Sequence, residues 1–584
     1  MPILSGMTRL NIVRLARPDE SPPPRAELVP NVRAFPRQLR ELRQALPAWL
    51  SAYLSAIGLL MALLMWWMPV SDYDSWTSYL ARIYLERMGP LRETATLELQ
   101  YQFPKFFDYL HAPLLDWGWF QTLPTFTLFS VLVASVIWRF PTPMAARLLL
   151  GLAISAPVLC AVTSAKNDLA FAIFTFLCWL WIFEARTDAP WYMAVGMLLI
   201  AAMIGTKWHS FFVAPPLACM LAARVIRRRA WSLPNAFLLC CALPLAWYIS
   251  SADVYLENLR LEGSICPKAD YLVVAVRPLR NLASFTVNGV LETFEVPFYF
   301  CDCYCFGGKL WPLLQSASWH GKNWNYAIMP NCQLAVFGFP ILAVLVCSVV
   351  AACRRTAPVA IRAAALIALI YAAACLCSFH YESKLNRYFL TTYLLGLVPT
   401  AYLLQSYQPR GLWRKACCAY LIFVSLHAML FNHERLLVPF KRYTAETLQS
   451  YNYPSLFVDL GDRDMLYFHV WEGHRHPYRV FRESVRSYHR VLIVNGHHGN
   501  DVPFLGPFVR HHHQPTTRVV SPRFGQAVPD RLSERFDYVL AFRSQVDDVG
   551  FRSIYDSDDV RLYQNVQLAA QDAGAPDSTR HVGE

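Results

Sequence analysis

The sequence predicts an α-helical polytopic membrane protein with a small C-terminal α/β domain. Three observations predict it. Of 584 residues, 55% are hydrophobic and only 16% charged, against about 25% charged in a typical soluble domain. The apolar residues gather into runs near the roughly 20 residues that cross a bilayer. From residue 433 onward those runs stop, and short strand-like and helix-like segments alternate.

About eleven apolar runs are long enough to span. They fall at 48–70, 123–139, 144–163, 168–185, 190–205, 209–224, 233–250, 333–353, 358–378, 387–407 and 412–432. The 190–224 stretch also reads as one bent span. Ahead of them, residues 1–47 are rich in Pro and Arg. They carry no apolar core followed by a small-residue cleavage site, so the first apolar run is expected to stay as a helix.

Orientation follows from the basic residues of the short loops. Arg33, Arg37, Arg40 and Arg43 precede the first span. With that segment in the cytoplasm, the cytoplasmic loops hold Arg139 and Arg147, then Arg224 and Arg227 to Arg229, then Arg354, Arg355 and Arg362, then Arg410, Arg414 and Lys415. Only the loop from Glu184 to Asp188, with its single Arg186, departs from the pattern. The net charge of +12 is thus explained by topology, with a share available to anionic lipids. No Walker loop, G-x-G-x-x-G or nucleic-acid module accompanies it, and no internal repeat of the transporter kind stands out.

The division expected is a cytoplasmic basic segment over 1–47, a transmembrane domain over 48–432 with outer loops at 71–122 and 251–332, a periplasmic α/β domain over 433–566, and a disordered tail over 567–584. Within the first outer loop, Trp76 to Arg87 and Phe106 to Phe120 read as amphipathic interfacial helices. In the tail domain, Arg490–Asn495, Thr517–Ser521 and Phe536–Phe542 read as buried strands.

Ionisable residues near a bilayer are costly and therefore informative. Here they gather on the outer side. Asp72 and Asp74 follow the first span. Lys166, Asn167 and Asp168 end the third. Lys207 and His209 end the fifth. His380, Glu382, Lys384 and Arg387 open the tenth. Four helix ends could converge on one outward cavity suited to an anionic head with an apolar tail. The bland alternative is that long cations snorkel at helix ends and that Asp168 caps the fourth span. Short aspartates gain nothing from snorkelling, which favours function.

These residues resemble the motifs of the GT-C superfamily of integral membrane glycosyltransferases, in its bacterial branch akin to protein mannosyltransferases and aminoarabinose transferases. Asp74-Ser-Trp-Thr77-Ser-Tyr79-Leu80-Ala-Arg82 is similar to an acidic motif, D-x-x-T-Y-H-L-P-R, after the first span. Ser78 stands where that motif has tyrosine. Thr163-Ser-Ala-Lys166-Asn167-Asp168-Leu169 resembles T-S-x-x-N-D-L, Gly205-Thr206-Lys207 resembles G-T-K, and Asn386-Arg387-Tyr388 resembles an R-Y-or-F motif opening a late span. Asp501 to Gly506 and Phe536 to Leu540 resemble parts of a C-terminal periplasmic domain.

The resemblance implies transfer of a sugar from a polyprenyl-phosphate carrier to an acceptor at the periplasmic face of a bacterial inner membrane. It makes Asp74 the catalytic general base, with Asp72 the competitor. Lys207, Arg82 and Arg387 would bind the donor phosphate, and Asp168, with Asn167 and His209, the acceptor or a cation. A divalent cation fits the same carboxylates, and any metal ligand set stays open. Two rival readings remain: a transporter or flippase for lipid-linked sugars, and a non-catalytic cell-envelope assembly protein. Cys301, Cys303 and Cys305, with Cys266 and Cys332, are expected to form disulfides in an oxidising compartment rather than a metal site. The other cysteines behave as small hydrophobes. The histidines at 497, 498 and 511–513 are expected to be solvated.

Overall fold

A computed structural model gives the architecture. It describes residues 35–70, 80–88, 102–184, 191–227, 232–265, 277–305, 337–378, 383–405, 412–432, 437, 440–443, 450–453, 465–466, 472–495, 505–512, 514, 516–520, 528–542, 550–557 and 560–574. The chain is mostly helical, with a small sheet near its C-terminal end.

The first helices are α1 (Phe35–Ala45), α2 (Ala48–Trp67), α3 (Ala81–Met88), α4 (Phe106–Tyr109), α5 (Ala112–Trp117), α6 (Leu123–Arg139), α7 (Thr142–Ala153), α8 (Ala156–Val162), α9 (Asn167–Glu184) and α10 (Tyr192–Thr206). A 3₁₀ turn at Trp208–Phe212 leads into α11 (Ala214–Arg227), α12 (Leu233–Ile249), α13 (Ala252–Glu262), α14 (Pro278–Cys305), α15 (Phe339–Cys353) and α16 (Val359–Ser378). A second 3₁₀ turn, Ser383–Phe389, opens α17 (Leu390–Leu403), and α18 (Leu412–Leu430) follows.

Helices α2 and α16 are long and apolar enough to cross a membrane, and two bent pairs, α7 with α8 (77°) and α12 with α13 (57°), meet the same standard when each pair is taken together. Helices α6, α9, α10 and α15 are apolar but shorter. Their outward faces are apolar too: Leu59, Leu63 and Trp66 on α2, Leu243 and Trp247 on α12, and Val346 and Val349 on α15 are all exposed. Apolar side chains on both the inner and outer faces suit a helix surrounded by lipid. The 144–163 run is thus a sharply bent pair, broken at Ile154 and Ser155. The 190–224 stretch is two helices parted by a 3₁₀ turn.

The 251–332 segment contains α14, which the apolar-run count passes over because its apolar residues are interleaved with Asn and Glu. It lies against the ends of its neighbours. Asn281 Nδ2 donates to Leu376 O at 2.8 Å, Phe285 packs on Phe389 with ring centroids 4.5 Å apart, and Phe339 N donates to Thr293 Oγ1 at 2.7 Å.

After α18 come a two-stranded ribbon, β1 (Phe440–Tyr443) with β2 (Ser450–Tyr453), then α19 (Glu472–Ser484), β3 (Val491–Asn495), α20 (Leu505–His511), β4 (Thr517–Val520), α21 (Leu532–Arg535), β5 (Tyr538–Phe542), β6 (Phe551–Asp556), β7 (Val560–Asn565) and α22 (Val566–Gly574). The five-stranded sheet runs β4-β3-β5-β7-β6. The three strands read from sequence pair in parallel, and β7 and β6 add an antiparallel hairpin. Residues to Gly574 are helical rather than structureless; Leu568 packs on the sheet core and Ala569 is buried.

Strand alternation gives the sheet two apolar faces. Leu492, Val494, Val539 and Ala541 face one core. Val491, Ile493, Leu540 and Phe542 face another, and that core also holds Tyr84 and Leu85 of α3 and Leu115 of α5. Arg510 Nε donates to Leu115 O at 3.0 Å. The tail domain therefore shares one hydrophobic core with α3 and α5. His512 is buried, with its ring nitrogens against Thr517 Oγ1 (2.7 Å) and Arg486 O (2.9 Å). It is a packing residue, not a solvated imidazole. His511 packs against Tyr478 and Phe481, while residues 497, 498 and 513 lie outside the described residues.

Candidate active site at three helix ends

The site begins with a glycine. A Cβ on Gly205 would lie 1.7 Å from Ile249 O. Only glycine lets the end of α10 come this close to the end of α12. Two residues later Lys207 leaves the helix in extended conformation (φ −155°, ψ 135°), which turns its side chain toward the start of α9. There the Lys207 ammonium forms a buried ion pair with Asp168. Asn167 Nδ2 donates to Thr206 O at 3.0 Å, tying the two helix ends together from the neighbouring position. Asp168 lies in the first turn of α9, where the helix dipole favours a carboxylate. Its oxygen takes Lys207 instead of a backbone N–H cap.

The third element is the 3₁₀ turn before α17. Tyr388 places its ring 4.4 Å from Lys207 Nζ and 5.2 Å from the Arg387 guanidinium carbon. Both cations thus lie against one aromatic ring, a favourable cation–π geometry. Arg387 Nη2 donates to Tyr388 OH at 3.4 Å. The edge of the His209 ring meets Tyr388 with centroids 4.6 Å apart. Asp168 senses three cations, Lys207, Arg387 and Lys166. Lys166, Asn167, Asp168, Lys207 and His209 are all buried, and Arg387 is half-buried. Asn386 Nδ2 reaches Glu292 Oε1 of α14 at 3.2 Å, holding the turn from behind.

Three of the four helix ends singled out by sequence therefore converge. Asp72 and Asp74 lie outside the described residues, as do His380 and Glu382 and the side chain of Lys384. Arg82 is built into a different place. Its side chain is buried, ion-paired with Asp108, and donates from Nη1 to Phe103 O (2.9 Å) and from Nη2 to Pro104 O (2.7 Å). These bonds clamp α3 to the later half of the 71–122 segment. That half is tied in turn to α13, through Asn258 Nδ2 to Gln102 O (2.8 Å) and Lys105 Nζ to Asp253 (3.0 Å).

Two titrating groups in this clamp are shifted. Burial raises the Asp108 carboxyl to about 6 despite the Arg82 charge. Burial lowers the His111 imidazole to about 4, so the neutral ring donates from Nδ1 to Gln121 O at 2.6 Å.

Tyr388 and Glu292 are the residues that sequence reading passes over. Tyr388 appears there only as part of a motif, although its position next to Arg387 is a signal. Glu292 gives none, because its partner is 94 positions away. Among the described residues no three His, Cys, Asp or Glu side chains gather as a metal site. Cys266 and Cys332 lie outside the described residues, as do the side chains of Cys301, Cys303 and Cys305.

No protein family matches the sequence, and no curated protein matches it. The solved structures that resemble the chain include two of ArnT from Cupriavidus metallidurans. The one bound to undecaprenyl phosphate is 12% identical, with a TM-score of 0.48, over 89% of this chain and 99% of that one. The apo form is 11% identical, with the same TM-score, over 89% and 98%. Identity this low assigns no residue a role.

Proposed function

We propose that the protein is a glycosyltransferase that moves a sugar from a polyprenyl-phosphate carrier to an acceptor at the outer face of the membrane. The observation that carries the reading is the convergence of Lys166, Lys207 and Arg387, from three separate segments, around one carboxylate beside Tyr388. Cations held in a poorly solvated site stabilise a departing phosphate far better than they would in water. The conjunction of this cluster with the Asp74 motif favours transfer over a non-catalytic assembly role, because an assembly protein needs no carboxylate in the first outer loop.

In this mechanism Asp74 accepts the proton of the acceptor hydroxyl or amine as it attacks the anomeric carbon. The C–O bond to the lipid phosphate breaks, and the polyprenyl phosphate leaves with its electron pair. Lys207 and Arg387 neutralise the charge that develops there, and Lys166 adds to the local positive field. Asp168 holds Lys207 in place. Arg82 is assigned to the loop clamp rather than to the donor phosphate.

The test is transfer by the purified full chain from a panel of polyprenyl-phosphate sugars, with membrane extract as acceptor. Wild type is expected to transfer sugar, and a folded Asp74→Asn variant to lose at least a hundredfold in kcat. Full activity in that variant would remove Asp74 from the mechanism. Uptake of the lipid-linked sugar across a vesicle membrane without transfer would establish the transporter instead.

A further inference from the structure

Helix α2 flanks α6 and α7. Between it and α6 and α7 runs an apolar cleft of about 330 Å³, lined by Ile57, Gly58, Met61, Phe129, Val133 and Leu152. It adjoins a second space of about 740 Å³ through Leu54, Ile137 and Leu149. That space opens beside α1, with Leu42, Arg43, Ser51 and Ser55 at its wall. A Cβ on Gly58 would meet nothing within 4 Å, so the void reaches the α2 backbone.

The two spaces follow α2 from Ala48 to Met61, about 20 Å at 1.5 Å per residue. One leaflet of a hydrocarbon core about 30 Å thick is shorter than this. The mouth is marked as a bilayer edge. Helix α1 is amphipathic, with Leu39 and Leu42 along the cleft, Leu46 just after the helix and Arg37 and Arg40 exposed, and Trp49 beside it is an exposed aromatic of the interfacial kind. Arg37 is paired with Glu41, which leaves a basic excess from Arg40 and Arg43.

This mouth lies at the opposite end of the bundle from Lys207. Gln38 of α1 donates to Trp138 O at the end of α6, and the neighbouring Phe140 ring stacks on Trp179 at 6.4 Å. Trp179 is about 16 Å along α9 from Asp168. A lipid with its phosphate at Arg43 is therefore distinct from a donor with its phosphate at Lys207.

We propose that the cleft holds one acyl chain of an anionic phospholipid, with the phosphate against Arg43 and the chain along Gly58. Anionic rather than zwitterionic lipid follows from the basic excess of α1. The site is independent of the sugar-transfer reading.

The experiment is native mass spectrometry of the detergent-purified full chain after exchange with phosphatidylglycerol or phosphatidylcholine. Wild type is expected to retain phosphatidylglycerol in preference. Arg43→Ala should lower that preference about fivefold, the share of one basic residue near an anionic surface. Gly58→Leu, which fills the void without meeting another atom at its Cβ, should abolish retention of both lipids. Gly58→Val reads the same occlusion if the larger variant does not fold, with thermal unfolding as the check. Equal retention of the two lipids by wild type overturns the headgroup assignment, and undiminished retention by a folded Gly58 variant overturns the chain assignment.

Discussion

Replacing Lys207 by methionine separates the two roles that its ion pair could serve. The ammonium and the Asp168 carboxylate are both nearly out of solvent. Removing one partner of such a pair costs about 3–5 kcal/mol, because the other charge is left buried. Arg387 and Lys166 still act on Asp168, so a loss near the lower end, about 3 kcal/mol, is expected in thermal unfolding. Activity should fall by about 10² to 10³, the usual effect of deleting one group that stabilises developing negative charge. Adding Asp168→Asn neutralises the carboxylate and should restore most of the stability. It should not restore transfer, because the departing phosphate still lacks its cation. The assay is thermal unfolding in detergent beside sugar transfer for the two single variants and the double. If the double variant regains wild-type transfer, Lys207 serves only to pair Asp168, and the phosphate role assigned to it is refuted.

Three further outcomes follow. Asp108 and His111 should give opposite pH dependences. The raised Asp108 pKa means the stability it lends is complete below about pH 4 and is lost as pH rises through about 6. The lowered His111 pKa means the reverse: stability present above about pH 6.5 is lost as pH falls through about 4. Each shift is worth about 3 kcal/mol, so wild-type stability should be nearly flat from pH 6.5 to 4, whereas Asp108→Asn should lose stability on acidification. A parallel pH profile for the two proteins would exclude the shifts. Arg82→Met leaves Asp108 buried without its ion pair and cuts two carbonyl bonds, so about 3–5 kcal/mol should be lost, seen as faster proteolysis within 80–122. Gly205→Ala should destabilise by about 1–3 kcal/mol and depress transfer, since the backbone of α12 must retreat beside Lys207. An unchanged melting temperature would contradict the close approach.

The helices were legible where apolar length alone marks them. A run such as Ala48–Trp67, apolar on every face, can be read without knowing its neighbours. Helix α14 was not legible, because its Asn and Glu residues hide it from any count of apolar runs. What gives them a place is their partners, Leu376 and Asn386, which lie 95 and 94 positions away. The three core strands of the tail domain were readable as apolar runs, whereas β7 interleaves polar with apolar residues and β6 carries no fully buried position. Val566–Gly574 looked like a polar tail, yet it is a helix whose Leu568 packs on the sheet core.

For the site, sequence spacing placed Asp168, Lys207 and Arg387 at outer helix ends, and the fold brings these three together. It offers both Lys207 and Arg82 for the donor phosphate, Lys207 first, since both are cations near a motif carboxylate. Their surroundings do sort them. Arg82 spends its donors on Asp108 and two backbone carbonyls within its own loop, as a guanidinium does when it fastens chain segments. Lys207 bonds across two helices and lies over the ring of a third element. Such an ammonium turns on a flexible stem and can exchange a carboxylate for a phosphate without releasing the backbone around it. On the proposed reading, the residue that meets the incoming anion is thus the one whose bonds hold no loop in place.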